Sequence, residues 1–326
     1  MAIRLRPFTP DDWPAAIEIA NRVYPDSPRS LAGALHWDAR WEADKHFRER
    51  LVAEEDGRVV GLGWLMHMPW QFSPDSYAFG AEVDPERQRQ GIGSALYETL
   101  LETAREREAK LIRSDAKESK PESLAFLQHR GFEEIQRAWE SRLDVNGFDF
   151  AAFAAAEPRA REQGLVVTTL GAELAAAGGA ETAAGDAVLR KLYALDLECT
   201  ADEPAFEPIT MSPYEKWRED KLESPSFLPD ASFLMKDGER YVGLSELGKN
   251  LVLPHVLQQR FTAVARSHRG RGVAMALKLA GVRYAREGGY TEIRTGNNTR
   301  NRPMLRINEA MGFVKQPVEI ELAKKL

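Results

Sequence analysis

The feature that most constrains this chain is that it repeats itself once. Gly57, Gly91, Gly131 and Phe132 recur as Gly238, Gly272, Gly312 and Phe313, each 181 residues further on. Four anchors at one spacing imply a duplicated domain, because solenoid repeats have periods of only roughly 20–50 residues. The length agrees: 326 residues at about 150 per domain gives two domains, each large enough to bury its own core. The expected division is a first domain over 1–146, a linker over 147–164 and a second domain over 165–326. The linker, "GFDFAAFAAAEPRAREQG", is Ala-rich and lacks strand alternation, so part of it reads as a helix.

Within the first copy "IRLRPF" alternates as a strand, and Thr9, Pro10 and Asp12 open the helix that follows as N-cap, N1 and N3. "EEDGRVVGLGWL" and its counterpart "MKDGERYVGLSEL" read as β-hairpins, each turning at Asp-Gly. Next come the strand "YAFGAEV", a glycine-rich turn, a helix from about Gly91 to Arg107, the strand "KLIRSDA", a further helix and "FEEIQRAWESRLDV". The second copy repeats the order with "RFTAVA", a helix from about Gly272 to Arg286, "YTEIRT" and the helix "RPMLRINEAM". Its opening stretch, residues 171–198, predicts two helices rather than one.

The glycine-rich turns carry the chemistry. The first is QxxGxG at Gln88, Gly91 and Gly93, and the second RxxGxA at Arg269, Gly272 and Ala274. Two fixed glycines arise by chance in roughly one window in 200 at about 7% Gly, so a single match is weak; recurrence at the same depth of both copies is not. Each turn ends a strand, has small residues that leave backbone N–H groups uncovered, and starts a helix whose unpaired donors and positive dipole end face outward. That is a cradle for an anion, with Arg87, Arg89, Arg266, Arg269 and Arg271 adding flanking charge. A P-loop is excluded for want of GxxxxGK[ST]; a dinucleotide fingerprint is excluded because Leu96 stands where GxGxxG needs its third glycine.

Composition removes other classes. A formal net charge of −6, from 44 Lys plus Arg against 50 Asp plus Glu, gives a nucleic-acid partner no help from the global field. No apolar run approaches a membrane span and "MAIRLRPFTPDDW" lacks a signal-peptide core, so a cytoplasmic protein without membrane partners is expected. The lone Cys199 and six scattered histidines do not space as a metal site, and Cys199 reads as a small buried hydrophobe.

With these turns and the segments "TAVARSHRGRGVAMALK" and "NRPMLRINEAMGF", both halves resemble the GNAT superfamily of N-acetyltransferases, whose hallmark is [QR]xxGx[GA] after the fourth strand. The resemblance covers most of the chain as a tandem pair. It implies an α/β (mixed α+β) fold: two domains, each a mixed, mostly antiparallel twisted sheet flanked by helices and splayed between strands 4 and 5. It also implies acetyl-CoA as cofactor. Its diphosphate would lie on Gln88, Arg89, Gln90, Gly91, Ile92, Gly93 and Ser94 in one half, and on Arg269, Gly270, Arg271, Gly272, Val273 and Ala274 in the other. Asn301 would contact the cofactor as well, and backbone N–H groups near Val83 and Val264 would meet the carbonyl oxygen.

Acyl transfer from a thioester to an amine needs a neutral amine, so a carboxylate that removes a proton is required, directly or through water. Glu82, at the end of the fourth strand, is the candidate in the first half and Glu246, on the third strand, in the second. Many relatives carry a Tyr four residues before the glycine of the "GF" pair, to protonate the leaving thiolate. Here those positions hold Leu127 and Asn308. The Asn often found eleven residues before that glycine is present as Asn301 but is replaced by Lys120 in the first half. Trp37, Trp41, Trp70 and Phe72 offer rings on which an apolar or cationic amine could stack. The reading is an N-acetyltransferase acting on a primary amine of a small molecule or peptide. The alternative is a non-catalytic or half-degenerate CoA-binding sensor or scaffold. Duplication supplies an internal pseudo-dimer, so the chain is expected as a monomer or a homodimer.

Overall fold

The computed structural model describes residues 3–326. They form two compact units, one of residues up to 137 with 319–326 and one of residues 138–318. In chain order the first copy contains β1 (Arg4–Pro7), α1 (Trp13–Val23), α2 (Leu31–Ala39), β2 (Arg48–Glu55), β3 (Arg58–Met66), β4 (Ser76–Val83), α3 (Ile92–Glu106), β5 (Leu111–Lys117), α4 (Pro121–Gln128) and β6 (Glu133–Asp144). The second contains α5 (Ala156–Glu162), β7 (Leu165–Thr169), α6 (Leu170–Ala176), α7 (Ala183–Thr200), α8 (Tyr214–Leu222), β8 (Ser232–Asp237), β9 (Arg240–Lys249), β10 (Val256–Val264), α9 (Val273–Glu287), β11 (Glu292–Asn298), α10 (Arg302–Ala310), β12 (Val314–Lys315) and β13 (Glu319–Lys325). This is the mixed α/β, mostly antiparallel tandem fold that the resemblance implies.

Local chemistry sets the elements. Thr9 and Asp12 bond reciprocally as a capping box, with Thr9 N 2.7 Å from Asp12 Oδ2, but around a 3₁₀ turn at Pro10–Asp12; α1 begins one residue later, at Trp13. The β2–β3 hairpin turns on Asp56 and Gly57, both at positive φ, as a two-residue Asp-Gly turn demands. Two helices, α6 and α7, open the second copy as expected, and Thr169 and Thr182 cap them through bonds from Ala172 N and Gly185 N. The expected linking helix is α5.

The first unit's sheet runs β1-β2-β3-β4-β5-β13, antiparallel except for β4 with β5. The second unit's runs β7-β8-β9-β10-β11 and then residues 138–144 of β6, with only β10 and β11 parallel; β12 also pairs with β6. Each sheet is thus completed by a strand that the sequence repeat assigns to the other half. This differs from the sequence-derived division: residues 319–326 belong with the first unit, and residues 138–146 with the second. Buried Arg113 of β5 seats the incoming β13, bonding Glu321 through Nε at 2.6 Å and Gln71 at 2.7 Å.

Helices cover both faces of each sheet. In the first unit Trp13 and Ala16 of α1 pack with Val52 and Leu62 on one face, while α3 lies so close to the other that a Cβ at Gly61 would stand 3.2 Å from Ile92. In the second unit a Cβ at Gly243 would come within 2.5 Å of Val273, so only glycine lets α9 seat there. Val273, Leu277 and Val282 of α9 are thereby fully buried, at about 1.5–3 kcal/mol each.

Candidate functional site

The strands on either side of each glycine-rich turn part company. β4 pairs with β5 only from Ser76↔Leu111 to Ala78↔Arg113 yet continues to Val83. β10 pairs with β11 only from Val256↔Glu292 to Gln259↔Thr295 and continues to Val264. The gap that opens is lined by β4 and β10 backbone that β5 and β11 do not pair. In an antiparallel ladder hydrogen-bonded pairs alternate with non-bonded ones. Asp84 N bonds Val60 O at 2.9 Å and Ala265 N bonds Val242 O at 3.0 Å. Their neighbours Val83, opposite Gly61, and Val264, opposite Gly243, are therefore non-bonded positions whose N–H and C=O groups turn away from β3 and β9, into the gap.

Beside each gap the turn forms a nest of main-chain donors. Arg89 and Gly91 have φ of 62° and 86° in the first, Gly270 and Gly272 of 75° and 82° in the second. Alternating left-handed residues of this kind point successive N–H groups at one spot. Gly91 and Gly272 are the N-cap residues of α3 and α9, and open space lies where a Cβ would stand on either. A Cβ on Gly93 would make only an ordinary 3.7 Å contact with Phe126, which explains why Ala274 serves at that place in the other turn. The residues present fit a diphosphate in both units.

The first residue of each motif has a structural task. Gln88 Nε2 donates to Val83 O at 3.1 Å, and Arg269 Nε to Val264 O at 3.0 Å. Both latch the turn to the strand end, and a Gln amide or an Arg guanidinium supplies the N–H equally well. Gln90 Nε2 bonds Glu86 O, and Ser94 Oγ accepts from Arg130 Nη2 at 2.8 Å. Ile92 and Val273 are buried beneath the turns as the first residues of their helices. Much of the flanking charge is neutralised within the chain, since Arg87 pairs with Glu55 and Arg266 and Arg269 share Asp202, while Arg271 keeps its charge and only donates to the neutral Gln163 Oε1. The two arginines hold the Asp202 carboxyl well below the usual range.

Glu82 is buried on the α1 face of the first sheet, where β4 leaves β5. One oxygen, Oε1, meets Arg29 at 2.8 Å; the other has no hydrogen-bond partner. Burial pushes its pKa up against the pull of Arg29. A carboxyl so placed has an oxygen ready for a proton at a pH nearer neutral than an exposed Glu. Tyr24, in the same field as Glu82 and Asp115, is pushed up to about 12, first by burial.

Glu246 lies elsewhere, on the wall of a cavity of about 350 Å³ within the second unit. Asp196, Thr200 and Glu203 from α7 and the segment after it, Trp217 and Lys221 from α8, and Arg260 and Phe261 from β10 complete much of the lining. Glu246 is tightly paired with Lys221, and Asp220 with Lys216 at 2.8 Å. Asp196 accepts from Trp217 Nε1 at 2.7 Å. Burial is the main cause that raises the Asp196 and Glu203 carboxyls, and each has the other or Glu246 as a like-charged neighbour. Asp196, Glu203, Arg29 and Lys221 were not legible as site residues, since each gains its role from a partner distant in sequence.

Other expectations are resolved locally. Leu127 is buried in the first core. Asn308 is buried too; its Nδ2 donates to Asn297 Oδ1 at 2.7 Å, and its Oδ1 is unpartnered. Asn301 Oδ1 caps α10 by accepting from Met304 N at 3.3 Å, so its free polar atom is Nδ2. Trp37 and Trp41 already hold a cation of the chain's own, the Arg48 guanidinium, 5.4 and 4.6 Å from their ring centroids. Trp70 and Phe72 are exposed, Phe72 stacking edge-on against His46 and His67. Cys199 is buried, its thiol pushed up to about 11 chiefly by burial. Among the described residues no helix is long and apolar enough to cross a membrane, and no cluster of His, Cys, Asp or Glu is grouped to hold a metal ion.

Comparison with known proteins agrees with this geometry. The model of the acetyltransferase (GNAT) family matches residues 13–132 and again 189–313. Among solved structures, a tandem GNAT protein from the clavulanic acid biosynthesis pathway aligns over 99% of this chain and 98% of its own, at 18% identity and a TM-score of 0.71. A GCN5-related N-acetyltransferase from Sphaerobacter thermophilus aligns over 99% and 95%, at 16% identity and a TM-score of 0.69. A putative acetyltransferase from Pyrococcus horikoshii aligns over 99% and 89%, at 16% identity and a TM-score of 0.55. At these identities the likeness to the solved structures is one of fold. The two family-model matches cover most of the chain, and the protein belongs to the acetyltransferase (GNAT) family, as a tandem of two such domains.

Proposed function

We propose that the protein is an acetyl-CoA-dependent N-acetyltransferase acting on a primary amine of a small molecule or peptide, in the cytoplasm. The observation that carries this reading is the pairing, in both units, of a main-chain nest with a strand gap into which the Val83 or Val264 N–H is directed. Acetyl-CoA, when bound, supplies an activated acyl group as a thioester. The nest N–H groups from Gln88 to Ser94 and from Arg269 to Ala274 would hold its diphosphate, Asn301 Nδ2 would add a donor in the second unit, and the Val83 and Val264 N–H groups would face the carbonyl oxygen as negative charge grows there.

The amine acceptor is assigned to the second unit's cavity. Among the described residues Glu203 has no cation acting on it, the only cation acting on Asp196 is Lys221, itself paired with Glu246, and Trp217 and Phe261 give the same space aromatic walls. An ammonium group satisfies both features. Glu246, paired with Lys221, and Asp196 are the carboxylates placed to take its proton there. In the first unit that role falls to Glu82 Oε2.

A second reading, a CoA-binding module with little or no turnover in one unit, has its own support. Leu127 cannot donate a proton to a departing thiolate, and the Asn308 amide is already bonded to Asn297. Thiol release from acetyl-CoA, followed with a panel of mono- and diamines, separates the two. Amine-dependent release that survives Gly91→Glu and is lost in Gly272→Glu places turnover in the second unit; the reverse places it in the first. Coenzyme A binding without release from any amine favours the binding module.

A further inference from the structure

Gln259 is the last residue of β10 paired with β11, and one residue later the pairing of β10 with β9 slips: Gln259 faces Leu247 and Phe261 faces Glu246, leaving Arg260 as an extra residue. Such a bulge bends a strand and re-aims the side chains beside it. Here those side chains are Arg260 and Phe261, two walls of the cavity, and the opposite residue Glu246 is a third. The first unit has no counterpart. Its β4 pairs with β3 without interruption from Gly61↔Val83 to Met66↔Ala78.

The bulge is braced from the other face of the sheet. Gln259 Nε2 has two hydrogens to give, and Glu246 O at 2.8 Å and Phe261 O at 3.0 Å take them, with Ser245 Oγ 3.2 Å away, so the amide spans the irregular step. An amide can do this only when its oxygen faces the opposite way. Lys278 of α9 fixes that orientation, its ammonium donating to Gln259 Oε1 at 3.3 Å. Lys278 is 2% exposed as a residue, and its ammonium lies 4.9 Å from the Phe313 ring and makes no other hydrogen bond among the described residues.

The first unit fills the same three places with rings. The parallel pairings put Phe79 where Gln259 stands, and the 181-residue repeat puts Tyr97 where Lys278 stands and Phe132 where Phe313 stands. Phe79 and Tyr97 are in edge contact at 5.3 Å, and Tyr97 and Phe132 at 6.3 Å. The one polar atom of this ring cluster, the Tyr97 hydroxyl, accepts from Lys324 Nζ at 2.9 Å, whereas in the second unit a buried ammonium has a single neutral acceptor, which is costly. The polar version therefore accompanies the unit that has a bulge to hold.

We infer that Lys278 and Gln259 are positioning residues, which lock the bulge of β10 and so fix the acceptor-facing walls Glu246, Arg260 and Phe261 of the second unit's cavity. Their effect on amine selection rests on the acetyltransferase reading; their effect on the strand does not.

Gln259→Glu is the decisive variant. It keeps an oxygen acceptor for Lys278, gives the ammonium a counter-charge, and removes the two N–H donors that span the bulge. A purely structural pair would gain or hold stability and change nothing else. The inference instead expects amide hydrogen exchange across 260–264 to speed up by about tenfold or more, a loss of local protection. It also expects the KM for the amine to rise by about tenfold while the KM for acetyl-CoA is unchanged. Lys278→Met, which leaves Gln259 unoriented, should shift exchange in the same segment and direction, and Tyr97→Phe should leave it unaltered. Unchanged exchange in Gln259→Glu overturns the brace. Faster exchange with an unchanged amine KM overturns its role in the cavity. Faster exchange in a protein that acetylates no amine upholds the brace and removes the acetyltransferase reading alone.

Discussion

The two units share a fold and a cofactor-shaped turn but handle charge in opposite ways. In the first, Arg89 is exposed in a left-handed conformation with no ion pair among the described residues, the carboxylate Glu82 has one oxygen without a hydrogen-bond partner among them, and rings fill the places that Gln259 and Lys278 hold in the other unit. In the second, Gly270 replaces that arginine, Asp202 engages both Arg266 and Arg269, Glu246 is bound to Lys221, and the space beneath the gap holds a buried ammonium. The backbone of the nest and of the strand gap is alike in both copies, while the side chains around it, and the bulge of β10, differ. The nest and the strand gap are made by main chain and tolerate such drift; proton transfer and acceptor choice are made by side chains and do not. Functional division between the copies is therefore expected in the chemistry step and not in cofactor binding.

The largest expected effect concerns what closes each sheet. Removing residues 319–326 takes Glu321 from Arg113, which is 3% exposed, and strips Ile320 and Leu322 from the first core. Loss of one partner from a buried ion pair costs about 3–5 kcal/mol, so the first unit should melt well below the second. Two separated calorimetric transitions in the truncated chain, against the profile of the full chain, would establish it. Next in size is Glu82→Gln. Acting in a Gly272→Glu background, it should lower any amine-dependent thiol release by about 10²–10⁴-fold, with coenzyme A binding in the first unit retained.

Lys278→Met tests the buried ammonium thermodynamically. Burial alone pulls the Lys278 pKa down to about 7, while in the unfolded chain it is near its ordinary value. Between those limits the unfolded state binds more protons, so stability rises with pH; below pH 7 the folded chain bears the full cost of the buried charge. The variant should therefore be more stable than the parent below pH 7, by roughly 2–5 kcal/mol on the scale of 1.36 kcal/mol per pKa unit. That margin should shrink as pH rises from 7 towards 10. Urea midpoints measured across this range supply the check, and a margin independent of pH would refute the assignment. The smallest effect belongs to Asp202→Asn. Freeing Arg266 and Arg269 should tighten coenzyme A binding in the second unit by less than about tenfold and make it more sensitive to salt, as read by titration in a Gly91→Glu background.

Local signals made much of this legible. The Asp56–Gly57 turn, the Thr9–Asp12 box and the two glycine patterns are each settled within a few residues of sequence, and they set a hairpin, a helix start and the nests. Strand exchange was not legible, because the partner of Glu319–Lys325 is chosen by burial and by Arg113, about 200 residues away in the chain. The same holds for Arg29 with Glu82 and Lys221 with Glu246: a carboxylate could be picked out by its place on a strand, but not the cation that meets it. Gln88 and Arg269 were legible as motif residues while their role as strand latches was not, since a side-chain bond to a backbone carbonyl leaves no mark in composition or period.

The central claim is that two main-chain nests each bind one coenzyme A. Isothermal titration of the parent protein with coenzyme A, beside Gly91→Glu and Gly272→Glu, tests it most directly. The account predicts two sites in the parent and one in each variant, because a side chain on either glycine fills the open space and strains its left-handed backbone. Equal stoichiometry in all three proteins would contradict it.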